Sequence, residues 1–198
     1  MSDVIVAGWG RTNPARASLY ECANQQSVEL VISDAGERGA LARGLGRSYG
    51  DAAQVSGGQL VRLTGRNISL DPTSGVVIVD AGVSIDELLR HIVPKGWFVP
   101  VTPGTRYVTI GGAIAADIHG KNHHRDGSIG AWIESLNLIT AVDGLVTVSP
   151  GSDPQLFWAT IGGMGLTGVI MSARIKLIPI DTPLMEVTTQ RHNNIDDL

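Results

Sequence analysis

Arg43-Gly44-Leu45-Gly46-Arg47-Ser48-Tyr49-Gly50-Asp51 is the stretch on which the reading of this chain turns. Glycines at 44, 46 and 50 let successive backbone N–H groups point the same way and let a ligand approach the main chain closely. Arg43, Arg47 and Ser48 can add side-chain donors for an anion. The functional reading is a cradle for a diphosphate, and the plain alternative is a surface turn. A Rossmann nucleotide loop opens a helix inside a βαβ unit. Here the following residues contain Ser56-Gly57-Gly58 and make a poor helix, so this is not that fingerprint. The P-loop pattern GxxxxGK[ST] is also absent.

Two further glycine clusters lie outward from this loop. The first runs Pro103-Gly104-Thr105, then Thr109-Ile110-Gly111-Gly112-Ala113-Ile114-Ala115-Ala116-Asp117-Ile118-His119-Gly120. Small residues in an apolar stretch suit a backbone laid against a flat ring system, where a large side chain would take the ligand's place. A tight glycine corner between strands is the alternative. The other cluster, Gly162-Gly163-Met164-Gly165-Leu166-Thr167-Gly168, reads on its own as a helix end followed by a turn.

Between the clusters the pattern is one of short strands with a few helices. VIVA near the start, Ala40–Arg43, Leu60–Leu63, Ile68–Asp71, Gly75–Asp80 and Trp97–Val101 read as strands. Trp132–Ala141 and Leu145–Ser149 read as a hairpin turning at Asp143-Gly144, and Leu166–Ile178 as a strand or strand pair. A short helix is expected over Ser27 to Ala35. A stronger one starts at the capping box Ser84-Ile85-Asp86-Glu87, presents Ile85, Leu88, Leu89 and Ile92 on one face, and stops at Pro94 and Gly96. Asp153-Pro154 opens another helix, with Asp as N-cap. The order is α+β rather than a strict βαβ alternation.

Charge and composition narrow the function classes. Lys+Arg is 15 against Asp+Glu 19, a net charge of -4, which argues against nucleic acid as partner. The single cysteine, Cys22, allows no intrachain disulfide and no Cys-rich metal site. No basic n-region precedes an apolar stretch at the start, and no window of about 18 apolar residues occurs, so the expectation is a cytoplasmic chain without a membrane span. Three histidines fall in His119-Gly120-Lys121-Asn122-His123-His124. Read as an extended segment, neighbouring histidines point to opposite faces, and no HExxH occurs, so no metal site is expected. The alternative is a polar rim for an anionic or sugar substrate, with Lys121 as a point charge.

Taken together, RGLGRSYGD, PGTRYVTIGGAIAADIHGKNHH and LFWATIGGMGLTGVI, with GWGRT near the start, resemble the vanillyl-alcohol-oxidase-like flavoproteins with a PCMH-type FAD-binding domain. The likeness runs through about residues 7–180. The HGKNHH extension points within the family to sugar oxidases and away from aldonolactone oxidases, which remain the alternative beside a non-catalytic FAD-binding module. The resemblance implies an FAD-binding domain of two α+β lobes over 1–180, with residues 181–198 starting a connection to a substrate domain. It implies that Ala42 to Ala52 hold the diphosphate, that Gly104, Thr109 to Gly112 and Ala116 to His119 line the flavin and its linker, and that Gly165 and Ile170 sit near the adenine end. His119 and Lys121 would face the flavin ring and the substrate.

The implied reaction oxidises the C2′ hydroxyl of a polyprenyl-phosphate ribose to a ketone for arabinan cell-wall precursors. An NADH-dependent short-chain reductase would complete the epimerisation, and such a substrate implies work near a membrane, at the cell envelope or its periplasmic face. Relatives that attach the flavin covalently carry a histidine where this chain has Arg47, so the FAD is expected to be non-covalent. Ala116 and Met164 stand where the family usually has Cys and Asn. The family's proteins are more than twice as long, and their second half carries the lysine base. Weak or absent turnover is therefore expected from these 198 residues alone.

Overall fold

The computed structural model describes residues 1–197. Its short β-branched runs pair into three sheets. The first lobe holds β1 (Ser2–Val6), β2 (Ala15–Cys22), β3 (Ala40–Ala42) and β4 (Gln59–Leu63), in the order β1-β2-β4-β3. β1 runs antiparallel to β2, while β2 and β3 both run parallel to β4. The second lobe holds β5 (Ile68–Asp71), β6 (Val76–Asp80), β8 (Ile133–Thr140), β9 (Gly144–Val148) and β10 (Val169–Lys176), all antiparallel, in the order β5-β6-β10-β8-β9. A two-stranded ribbon pairs β7 (Trp97–Phe98) with β11 (Ile178–Pro179).

Among the described residues, five α-helices join the sheets: α1 (Gln25–Ser33), α2 (Ile85–Ile92), α3 (Ile110–Ala115), α4 (His123–Asp126) and α5 (Pro154–Thr160). The Ser84 box closes as expected. Its hydroxyl accepts from Glu87 N at 3.2 Å, and the Glu87 carboxylate accepts from Ser84 N at 2.7 Å. α2 and α3 bury Leu88, Ile92, Ile110 and Ile114 against Val77, Val79, Leu136 and Ile175 of the second sheet, which forms the main core. A smaller core joins the lobes: Val28 and Val31 of α1 meet Cys22 and Val61 of the first sheet and Ile139 and Val169 of the second. Burying such side chains contributes about 1.5–3 kcal/mol each, so α1 is the wedge that fixes one lobe against the other.

The α+β architecture of the sequence reading holds, with local corrections. α1 begins two residues before Ser27, because Asn24 and Ser27 form their own capping box, and it ends before Ala35. The strand expected over Trp97–Val101 pairs only at its first two residues. Val99 and Val101 run on as buried, unpaired chain. The histidine segment is not extended, since His123 and His124 open the single-turn α4. The glycine stretch at 110–115 is a helix, which its two glycines concealed.

Candidate functional site: a glycine-lined cleft

A cleft of about 630 Å³ lies between the lobes. That size is within the range of small-molecule and cofactor pockets, ~300–1,000 Å³. It is lined by Ala42 to Tyr49 with Ala52 and Ala53 from the first loop, Val61 to Leu63 of β4, Ala81 and Gly82, the segment from Pro103 to Ile118, and Met164 to Ile170 after α5, with Trp9 and Arg66 at its edge.

The first loop leaves β3 after Arg43 N has bonded to Val61 O at 2.8 Å. From Gly44 to Ala53, no backbone N–H finds an acceptor among the described residues. An unpaired N–H is costly away from water, so a run of them at a cleft wall is a standing offer to an acceptor-rich ligand. Local packing fixes the loop's shape. A Cβ on Gly44 would overlap Thr109 Oγ1, and Gly46 has φ +65° with Arg43 lying against it. From outside, Trp9 N donates to Ser48 O at 2.7 Å and Gly10 N to Tyr49 O at 3.2 Å.

The arginines expected as donors serve other purposes. Arg43 Nη1 donates to Ala53 O and Nη2 to Ala7 O, both at 2.7 Å, so the guanidinium is a strut between the loop and the N-terminal segment. Burial, with Arg62 nearby, lowers its pKa, and it stays charged. Arg47 Nε donates to Tyr107 O at 3.1 Å, and its guanidinium lies 4.5 Å over the Trp9 ring. Arg43 is therefore spent, Arg47 keeps its two terminal nitrogens, and the loop's backbone is the larger donor set.

α3 forms the facing wall. Thr109 caps it by accepting from Gly112 N at 3.1 Å, while Ile110 N and Gly111 N donate to Val83 O and Ala81 O. Those amides are spent, so Gly111 and Gly112 offer a flat surface and no donors. A Cβ on Gly111 would press on Ala81 at 3.0 Å. Ile110 turns into the core instead of the cleft. Asp117, at φ +41°, also turns away, with Oδ1 accepting from Gly130 N at 3.0 Å. Ile129 N donates to Ile118 O at 2.9 Å, and His119 bridges to Ser128. Residues 128–130 thus pin the end of this wall.

Most of the expected site converges on the cleft: Ala42 to Tyr49, Ala52, Gly104, Thr109, Gly111, Gly112, Ala116, Ile118, Gly165 and Ile170 all line it. Gly50, Asp51, Ile110 and Asp117 do not. His119 and Lys121 are exposed just beyond Ile118 and do not reach the wall. The His119 and His123 rings meet edge-on with centroids 5.5 Å apart, and His123 with His124 at 5.9 Å. Two neighbours on a helical turn invalidate the opposite-faces argument. Among the described residues, no group of three or more His, Cys, Asp or Glu could hold a metal. The sequence reading passed over Tyr107, Arg62 and Arg66, which also line the cleft, and left Trp9 without a role. Only Trp9 carried a signal, its two flanking glycines. A Cβ at Gly10 would sit 2.6 Å from Tyr49 O, so those glycines admit backbone against backbone.

FAD fits this cleft. A long run of unclaimed amides suits a diphosphate, and a wall of small residues opposite, Gly111, Gly112, Ala113, Ala115 and Ala116, suits a flat ring. Comparison with known proteins agrees. The FAD binding domain family matches residues 17–150, and the chain belongs to that family. Decaprenylphosphoryl-beta-D-ribose oxidase of Mycolicibacterium smegmatis is 48% identical over 181 residues, covering 88% of this chain and 39% of that protein. Cytokinin dehydrogenase 4 of Arabidopsis thaliana is 31% identical, covering 69% of this chain and 27% of its own length. The D-arabinono-1,4-lactone oxidase homologue of Neurospora crassa is 27% identical, with shares of 86% and 31%. The chain therefore spans well under half the length of these relatives.

Proposed function

We propose that this chain is the FAD-binding portion of an oxidoreductase that converts the C2′ hydroxyl of a polyprenyl-phosphate ribose to the 2′-ketone. The observation that carries the reading is the run of unpaired amides in the first loop, of which Gly44 to Tyr49, Ala52 and Ala53 line the same cleft as Gly111 and Gly112. The 48% identity to a decaprenylphosphoryl-ribose oxidase supports the substrate class. Bound FAD supplies the two-electron oxidising capacity that turns an alcohol into a ketone. The first loop holds the diphosphate through its N–H groups. Gly111 and Gly112 admit the ring face to the backbone. His119 and Lys121, just past the wall, bear on the substrate end and orient the sugar hydroxyls. An NADH-dependent short-chain reductase would take the ketone onward. The lipid chain of the substrate places the work at a membrane surface.

The FAD is held non-covalently, because Arg47 offers no nucleophilic ring nitrogen. Visible absorbance of the purified chain, followed by acid precipitation, tests this. The expected result is a flavin spectrum that leaves with the supernatant. Flavin retained in the pellet overturns the non-covalent assignment, and a colourless chain that takes up no added FAD overturns the whole reading. Bleaching of that spectrum by polyprenyl-phosphoryl ribose without air, once the longer polypeptide is supplied, is expected if the substrate is right. Bleaching by an aldonolactone instead would move the chain to that class.

A further inference from the structure

The two lobes are each knit together by their own hydrogen bonds and hardly bonded to one another. The chain passes between them once, at residues 64–67, from β4 to β5. Every strand pairing falls within residues 1–63 or within residues 68–197. Among the described residues, a single hydrogen bond joins those two stretches: Arg47 Nε donates to Tyr107 O at 3.1 Å. No ion pair joins them among the same residues.

Both ends of that bond are anchored, each to its own lobe. The Arg47 guanidinium rests on the Trp9 ring at 4.5 Å, and Trp9 N donates to Ser48 O at 2.7 Å. Arg43 ties the same loop to Ala7 O and Ala53 O. On the other side, the Tyr107 segment is fastened to α2. Ile85 N donates to Val108 O at 2.9 Å, Asp86 N to Arg106 O at 3.0 Å, and Arg106 pairs with Asp86 at 2.8 Å.

The remaining contacts between the lobes differ in kind. Gly44 lies against Thr109 and Gly165 near Leu41, which are contacts without a hydrogen bond. The α1 core, where Val28 and Val31 meet Ile139 and Val169, is buried and apolar, and parting it would expose all four side chains to water. The Arg47–Tyr107 bond is solvent-exposed, so water replaces either partner when it opens. The molecule thus has a durable joint, made by the α1 core and the 64–67 crossing, and one releasable tie across the cleft.

We propose that the Arg47–Tyr107 bond, backed by Trp9, is a clasp, and that FAD enters and leaves the cleft when this clasp opens and the lobes part about the α1 joint. The clasp deepens the FAD-binding reading and rests on it. It sets how fast the cofactor exchanges, as closure of a cleft over its ligand commonly does.

Stopped-flow mixing of FAD with the chain stripped of cofactor, followed by flavin fluorescence, gives the entry rate, and dilution of the loaded chain gives the release rate. Arg47→Gln is expected to raise both at least fivefold. Trp9→Leu, which removes the aromatic face and keeps the amide bond to Ser48, is expected to raise both about two- to threefold, and it serves even if Arg47→Gln fails to fold. The direction of the entry rate is decisive. Loss of a mere ligand contact speeds release alone, whereas loss of a clasp speeds entry too. Release rising with entry unchanged, or neither rate moving in either variant, overturns the clasp and leaves the FAD-binding reading standing. A wild-type chain that takes up no FAD overturns both.

Discussion

The glycine loop at 43–53 and the glycine turn at 162–168 look alike in the sequence and differ in where their amides go. From Gly44 to Ala53 no N–H meets an acceptor among the described residues. In the second, Gly162 N donates to Ile114 O, Gly163 N to Thr160 O, Met164 N to Ala115 O and Leu166 N to Gly163 O. One loop is held rigid by its carbonyls and side chains and keeps its donors free. The other spends four of its seven donors, those of Gly162 and Met164 on the α3 segment and those of Gly163 and Leu166 locally. Glycine content reports how closely a backbone can approach something. The hydrogen-bond account reports whether that something is the protein itself or a ligand.

The sharpest way to break this comparison is to add one methyl to each loop. Gly44→Ala would force Thr109 aside and uncap α3, and Gly163→Ala would strike Ala159 O in the last turn of α5. Overpacking costs ~1–3 kcal/mol in either case, measurable by urea unfolding. Only Gly44→Ala should also weaken FAD binding, by about tenfold or more per folded molecule, since each tenfold is ~1.4 kcal/mol. Gly163→Ala should leave FAD affinity within about threefold. Equal losses from both would mean that the two loops serve the ligand equally.

Arg43→Met tests whether the cradle depends on its strut. It strands the carbonyls of Ala7 and Ala53, at ~1–3 kcal/mol of stability. It should also raise hydrogen exchange at Trp9 and Gly10, whose amides bond to the loop. A smaller effect is expected at Asp117. Asp117→Ala loses the Gly130 bond and places a Cβ-bearing residue with no local acceptor at φ +41°, for about 1–2 kcal/mol. Asp117→Asn keeps the acceptor and tolerates that backbone, so it should stay within about 0.5 kcal/mol of the wild type. Least of all, Met164 sits at φ +54° in the second loop. Met164→Asn should raise stability by about 0.5–1 kcal/mol in urea unfolding, because asparagine occupies that region more readily.

The parts legible in advance were those whose cause is local. The Ser84 box needs only Glu87 three residues on, and the hairpin at Asp143-Gly144 needs only a glycine at φ +67°. The helix at 110–115 was hidden because two central glycines cost ~1 kcal/mol each in helix propensity. It forms because Ile110, Ala113 and Ile114 are buried and Thr109 caps it. The same holds for the histidines. Nothing local announces that Asn122 O accepts from Arg125 N and Asp126 N and so turns the chain into α4.

The sequence by itself therefore determined the α+β class, the flavin-binding family and the stretches of chain that would meet at the cofactor, since each is carried by contiguous residues whose spacing states their chemistry. Only the tertiary structure decided which donors stay free. Arg43 and Arg47 carry equal charge in the same loop, and what separates them is distance in space. Arg43 finds the carbonyls of Ala7 and Ala53, thirty-six residues before it and ten after it, whereas Arg47 finds one carbonyl and an indole face, which leaves two of its nitrogens to a ligand.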